Sequence, residues 1–200
     1  MVKIGAKTLR IYSLITQGTI FSKNFNESSK PINSINFSSS GNEIAFKIGD
    51  ERLIIYDLIT KKEIISISVM TFNEKISSYS FSPSGNEIMV RIGFGYIGAR
   101  AGYKGVRIYD LKTKEIIFSK DFDPDETIYS LSFSPSGNEI VVEEGIKGFR
   151  IYDLKTQELI FSMDFEKSIS TLNFSPSGNE IIVKVGDKEL RIYKIVGKRR

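Results

Sequence analysis

With no cysteine and no histidine in 200 residues, the chain has no thiol or imidazole nucleophile, no disulfide and none of the usual zinc or iron ligand sets. Acid–base chemistry would rest on carboxylates, lysines and tyrosines. Two stretches gather such side chains at suggestive spacing. In Asp121-Phe-Asp123-Pro-Asp125-Glu126 the aspartates alternate as at the start of a calcium loop. Glu126, however, stands where that loop needs its glycine, and Ser132 where it needs a bidentate glutamate. The stretch reads as a charged strand end leading into a connection, and no metal or cofactor is expected. The second stretch, Gly93 to Gly105, carries Tyr96, Arg100, Tyr103 and Lys104, types enriched at binding hot spots and phosphate contacts. Its Gly93-Phe-Gly95-Tyr-Ile-Gly98 has the G-x-G-x-x-G form. A dinucleotide site needs that form between a strand and a helix, and here another strand-like run follows. Tyr96, Arg100, Tyr103 and Lys104, with Asp123 and Asp125, are therefore expected to contact a partner.

An enzyme is not expected. Without histidine, a general base near neutral pH requires a strongly shifted carboxylate or lysine, and no pairing that would shift one can be read from the sequence. The net charge is +4, and Lys198-Arg199-Arg200 supplies three of those charges. The remaining lysines are spread through repeated turns, whereas a nucleic-acid binder concentrates basic charge on one face. Binding of anionic surfaces, nucleic acid or membrane phosphates, through this tail and the Arg100/Lys104 loop is the alternative to protein binding.

The elements that must position these side chains are legible from internal repetition. Phe37-Ser-Ser-Ser-Gly-Asn-Glu-Ile44 returns as Phe81-Ser-Pro-Ser-Gly-Asn-Glu-Ile88, as Phe133 to Ile140 and as Phe174 to Ile181, its glycines spaced by 44, 52 and 41 residues. A second motif keeps step: Arg10-Ile-Tyr-Ser-Leu14, Ile54-Ile-Tyr-Asp-Leu58, Arg107-Ile-Tyr-Asp-Leu111, Arg150-Ile-Tyr-Asp-Leu154 and Arg191-Ile-Tyr-Lys-Ile195. Each period holds four short strand-like runs and no helical stripe. In Ile128 to Ser134, alternation puts Tyr129, Leu131 and Phe133 on one face and the serines on the other. Pro135-Ser-Gly-Asn138 then turns the chain, Pro presetting φ and Gly tolerating φ > 0. The composition agrees: 31 isoleucines, 14 phenylalanines and nine tyrosines against four alanines suit pleated sheets. The repeated tyrosines read as packing elements, and Asp57, Asp110 and Asp153 as shapers of the turn that follows each.

The order SLSFSPSGNEIVV…FRIYDLKTQELIFS resembles the WD40 repeat over essentially the whole chain, with Tyr152 in the position usually held by tryptophan. The family's Gly-His dipeptide has no counterpart, so the sheets are expected to rely on apolar packing, from residues such as Phe133, Ile140, Ile151, Leu154 and Phe161. The resemblance implies an all-β fold: a β-propeller of four-stranded antiparallel blades, about 4.5 repeats long. It also implies a non-enzymatic protein-interaction scaffold whose recognition face carries the loops between strands two and three together with the loops between blades.

Complete blades are expected over 32–69, 76–122 and 128–165, with an incomplete first blade over 1–31 and an incomplete last one over 169–195. Val2 to Tyr12 aligns with Val183 to Tyr193, so the chain starts and stops inside a blade. Either a five-bladed ring with two imperfect blades closes, or copies complete one another; homo-oligomeric completion is the expectation, because an open arc leaves faces and edges bare. No apolar run is long enough to span a membrane, and the start lacks the apolar stretch of a signal peptide, so a cytoplasmic location is expected.

Overall fold

The computed structural model describes residues 2–4, 8–25, 30–69, 74–94, 103–123, 128–146 and 148–195, with the backbone alone at Val2–Ile4 and Tyr103. Among these residues there is no helix, and eighteen strands form five antiparallel sheets. The first sheet has three strands: β1 (Val2–Ile4), β2 (Thr8–Tyr12) and β3 (Thr19–Asn24). The second has β4 (Ile32–Phe37), β5 (Glu43–Ile48), β6 (Arg52–Asp57) and β7 (Lys62–Ser68). The third has β8 (Glu74–Phe81), β9 (Glu87–Phe94), β10 (Tyr103–Asp110) and β11 (Ile116–Asp121). The fourth has β12 (Ile128–Phe133), β13 (Glu139–Glu144), β14 (Gly148–Asp153) and β15 (Leu159–Asp164). The fifth has β16 (Ile169–Phe174), β17 (Glu180–Val185) and β18 (Glu189–Lys194). Within each sheet the strands pair in chain order, every neighbour antiparallel, as short connections require.

Each of the three inner sheets packs one face on the sheet before it and the other on the sheet after it, while the first and fifth sheets pack on one neighbour only. Central strands are therefore apolar on both sides, which explains their continuous apolar runs. In β5, Ile44, Phe46 and Ile48 face Leu9, Ile11 and Phe21 of the first sheet, while Ala45 faces Ile76, Tyr79 and Ile88 of the third. The third-strand tyrosine repeats the same contact. Tyr56 meets Phe21 with ring centroids 5.5 Å apart, Tyr152 meets Phe118 at 5.8 Å, and Tyr193 meets Phe161 at 6.4 Å. Each time, an aromatic of one sheet rests on a fourth-strand phenylalanine of the preceding sheet. Tyr109 lies in the cluster that holds Ile65, the residue at that fourth-strand position in the second sheet.

The turns explain the conserved spacing. Gly85 and Gly137 lie at φ +80° and +78°, a left-handed conformation open to glycine without steric cost. In the turn that follows β2, β6, β10 and β14 a non-glycine residue, Gln17, Lys61, Lys114 or Gln157, takes positive φ. Three of these turns carry an aspartate that holds them. Asp57 Oδ1 accepts the N–H groups of Ile59 and Thr60, and Asp110 and Asp153 repeat the pattern. The Thr60 and Ile59 amides hold the Asp57 carboxyl below the usual aspartate range.

Three details differ from the sequence reading. Tyr129 does not share the buried side of Leu131 and Phe133; it is about half exposed. A bulge between Ile128 and Ser130 leaves Tyr129 without a ladder partner and breaks the strict alternation, and the same irregularity occurs in β4, β8 and β16. Secondly, Val2 pairs with Ile11, whereas Val183 pairs with Arg191, so the first sheet is offset by one residue from the alignment of its sequence with the last. Thirdly, polar bonds join the apolar packing in stabilising the turns. Ser134 Oγ donates to the Glu139 carboxylate at 2.5 Å and accepts the Glu139 N–H at 3.2 Å, while Ser136 Oγ donates to the same carboxylate at 2.8 Å. The Ser-x-Ser…Glu staple recurs at Ser38/Ser40/Glu43, Ser82/Ser84/Glu87 and Ser175/Ser177/Glu180.

A buried polar contact crosses between the second and third sheets. Tyr79 donates its hydroxyl to Ala45 O at 3.2 Å and accepts from Ser34 Oγ at 3.2 Å. Burial pushes its phenol up to about 12 from an ordinary value of 10.0. Because the folded value lies above the unfolded one, the contribution of the neutral phenol is complete below pH 10 and is lost as pH climbs toward 12. Urea unfolding across that window should show an alkaline loss of stability that Tyr79→Phe reduces, the variant itself costing about 1 kcal/mol at neutral pH. An unchanged alkaline profile would place the pressure on another group.

Candidate functional site

Antiparallel pairing sends the turn between strands two and three of the second to fifth sheets to the same end as the connection between sheets. Backbone bonds tie the two together. Gly49 N–H donates to Pro31 O at 2.9 Å, Val69 N–H to Glu51 O at 2.9 Å and Ile76 N–H to Asp50 O at 2.6 Å. Phe122 N–H donates to Lys104 O at 2.8 Å, Ile169 N–H to Ile146 O at 2.7 Å and Gly186 N–H to Ser168 O at 2.7 Å. Polar side chains brace the same end. Lys30 pairs with Glu51, and Lys47 reaches Asp50 at 2.9 Å and Ile76 O at 3.1 Å. The Lys47 ammonium holds the Asp50 carboxyl below its usual range.

Of the residues singled out by type and spacing, Lys104 and Asp123 fall on this end. Lys104, in β10, forms an ion pair with Glu74 at the start of β8, and its carbonyl anchors the chain entering the next connection. Asp123 is exposed beyond the buried Phe122. Tyr103 contributes its backbone to β10, opposite Gly93 of β9. Tyr96, Arg100 and Asp125 lie outside the described residues, as does Lys198-Arg199-Arg200. The structure thus places Lys104 beside Glu74, a partner that the sequence reading missed. The two are 30 residues apart and meet only because β8 and β10 both flank β9.

Behind Lys104 the strand is fixed by a close approach. A Cβ on Gly105 would lie 2.5 Å from Lys120 O and 2.6 Å from Asp121 Oδ1, so glycine is what lets β10 and β11 meet there. Arg107 then closes the pair with Asp121 at 2.6 Å. The fourth sheet repeats the device with Gly148, Arg150 and Asp164, where Asp164 stabilises the guanidinium charge and raises the Arg150 pKa.

Two of the clefts on the described residues lie elsewhere. One, of about 560 Å³, is lined by equivalent residues of three first strands: Asn36 and Phe37, Ser80 and Phe81, Ser132 and Phe133. The other, of about 730 Å³, lies at the opposite end of the third and fourth sheets from Lys104. Its acids, Glu87, Glu139 and Asp153, are the turn carboxylates already engaged by serine hydroxyls or backbone amides. Among the described residues no group of three or more acidic side chains is disposed to hold a metal ion, and no helix is long and apolar enough to cross a membrane. A scan against models of known protein families finds no match to the chain, and a search of curated proteins finds none either, so the case for any family rests on the repeats and their packing.

Proposed function

We propose that the chain is a run of blades of a WD40-like β-propeller, completed by further copies of itself, and that it acts as a non-enzymatic protein-interaction scaffold in the cytoplasm. One observation carries the propeller reading. First strands from three different sheets contribute the same two positions to one shared cleft, as blades arranged about a common axis must. The scaffold reading draws on the end where turns and connections are bonded into a braced platform, the end at which the long Gly93–Gly105 stretch of sequence joins β9 to β10. The repeated carboxylates favour a scaffold over an enzyme, since Glu43, Glu87, Glu139 and Glu180 each accept serine hydroxyls, and Asp57, Asp110 and Asp153 each hold a turn. The anionic-surface alternative is weakened at Lys104, whose ammonium Glu74 already compensates.

The test is affinity capture with the native chain beside one in which residues 94–104 are replaced by a short turn. Partners retained by the first and lost by the second are the expected outcome. Identical sets of captured proteins would remove this loop as the binding site. Capture that collapses in moderate salt and is competed by polyanions would favour the anionic reading.

A further inference from the structure

Each sheet-to-sheet interface in the chain is built from the same repeat positions, which makes the two outermost faces interpretable. On the strand that bears the repeated Ile-Tyr motif (β2, β6, β10, β14 and β18), the face turned toward the following sheet carries Leu9 and Ile11, Leu53 and Ile55, Val106 and Ile108, Phe149 and Ile151, and finally Leu190 and Ile192. In the first four sheets none of these side chains is more than 4% exposed; in the fifth, Leu190 is 66% and Ile192 70% exposed. Ile182, paired with Ile192, continues the same apolar row. At the other end of the array, the leucine that ends the third-strand motif is 8% exposed at Leu111 and 6% at Leu154, but 79% exposed at Leu14.

We propose that the outer face of the fifth sheet, centred on Leu190 and Ile192, docks the outer face of the first sheet of a second copy, around its Leu14. The two meet in the orientation in which one sheet follows another within the chain. The inference rests on reading the five sheets as repeats of one array. The occupant follows from that array. Four times over, the cover of such a face is the preceding-side face of another copy of the repeat, and the chain exposes one such face itself, at Leu14. Docking continues an interface that is already built, rather than adding one of new design. Closure of the chain on its own first sheet is not what the structure shows, because that would cover Leu14, Leu190 and Ile192 together. The contact is heterologous: two different faces meet, and a docked pair still presents one of each.

Sedimentation equilibrium of the intact chain tests this. At micromolar concentration the mass should reach at least twice the 22.6 kDa of one chain and fall to that value on dilution. The Leu190→Glu/Ile192→Glu variant and the Leu14→Glu variant should each sediment as single chains. Mixed in equal amounts they should form a pair and nothing larger, since each retains the face that the other lacks. A wild-type mass of 22.6 kDa at every micromolar concentration overturns the docking. So does a Leu190→Glu/Ile192→Glu variant that keeps the wild-type mass, which would move the contact to the bare edge of β18 or elsewhere. A mixture that stays single-chain overturns it too. Amide exchange separates this failure from failure of the array. Slow exchange in β5, β9 and β13 of a single-chain species leaves the stacked sheets intact and removes only the docking, whereas fast exchange there removes the array itself. If a variant fails to fold, the wild-type dilution series decides alone.

Discussion

Phe149→Ala is expected to lower the unfolding free energy by about 3–5 kcal/mol, the range for deleting a buried phenylalanine where the surroundings relax only in part. Phe149 is fully buried between the fourth and fifth sheets, with Phe161 at 5.7 Å and Phe165 at 6.2 Å. Both ring neighbours lose one contact at once and keep only the one to Tyr193 among the ring contacts described. Ile160→Ala, on the neighbouring strand β15, is the control. Ile160 stands at a bulge with 43% of its surface exposed, and its truncation should cost about 1 kcal/mol or less. Far-UV circular dichroism in a urea titration reads both, the chain having no tryptophan. In a stacked array each sheet leans only on its neighbours, so the loss should concentrate in the fifth sheet. Amide exchange in β16, β17 and β18 should accelerate by about 100-fold in Phe149→Ala, with β5 and β6 far less affected. Equal acceleration in every sheet would mean that the five sheets unfold as a single unit.

The second large effect is expected at a serine. Ser134→Ala should cost about 2–3 kcal/mol, since it removes a hydroxyl bonded to the Glu139 carboxylate and strands the amide that the hydroxyl had satisfied. Ser134 is fully buried, and its oxygen both donates to the Glu139 carboxylate and accepts the Glu139 N–H. Ser136→Ala deletes a bond to the same carboxylate from an exposed position, where water replaces the lost donor, and should cost under about 1 kcal/mol. The ratio of the two losses, measured by urea unfolding, is the informative quantity. Equal small losses would show that the staple is decoration on an apolar turn. A large loss at Ser134 would make it the polar element that holds these histidine-free sheets at the first turn.

Local periodicity was enough to show the repeats, the strands and the two recurrent turns, because each depends on residues only a few positions apart. Asp57, Asp110 and Asp153 bond to amides two and three residues ahead, so their turn role was legible in the Asp-Leu-x-Thr pattern. The serine–glutamate staple was also present in the repeated Ser-x-Ser-Gly-Asn-Glu, although proline, glycine and asparagine account for such a turn without it. Tyr129 was misplaced because a bulge inserts one residue and reverses the side on which the next side chain falls. The Lys104–Glu74 pair was beyond local reading, since its members are 30 residues apart and sit on strands that flank β9 from either side.

By itself, then, the sequence determined that this is an all-β chain of tandem antiparallel sheets, since alternation and turn chemistry act within a few residues. Only the tertiary structure decided which apolar faces are covered. Ile151 and Ile192 occupy the same position in nearly the same motif, yet one is fully buried and the other 70% exposed. The physical reason is that burial belongs to a pair of surfaces. A strand can carry the side chains for an interface, but a second sheet must arrive before water leaves it.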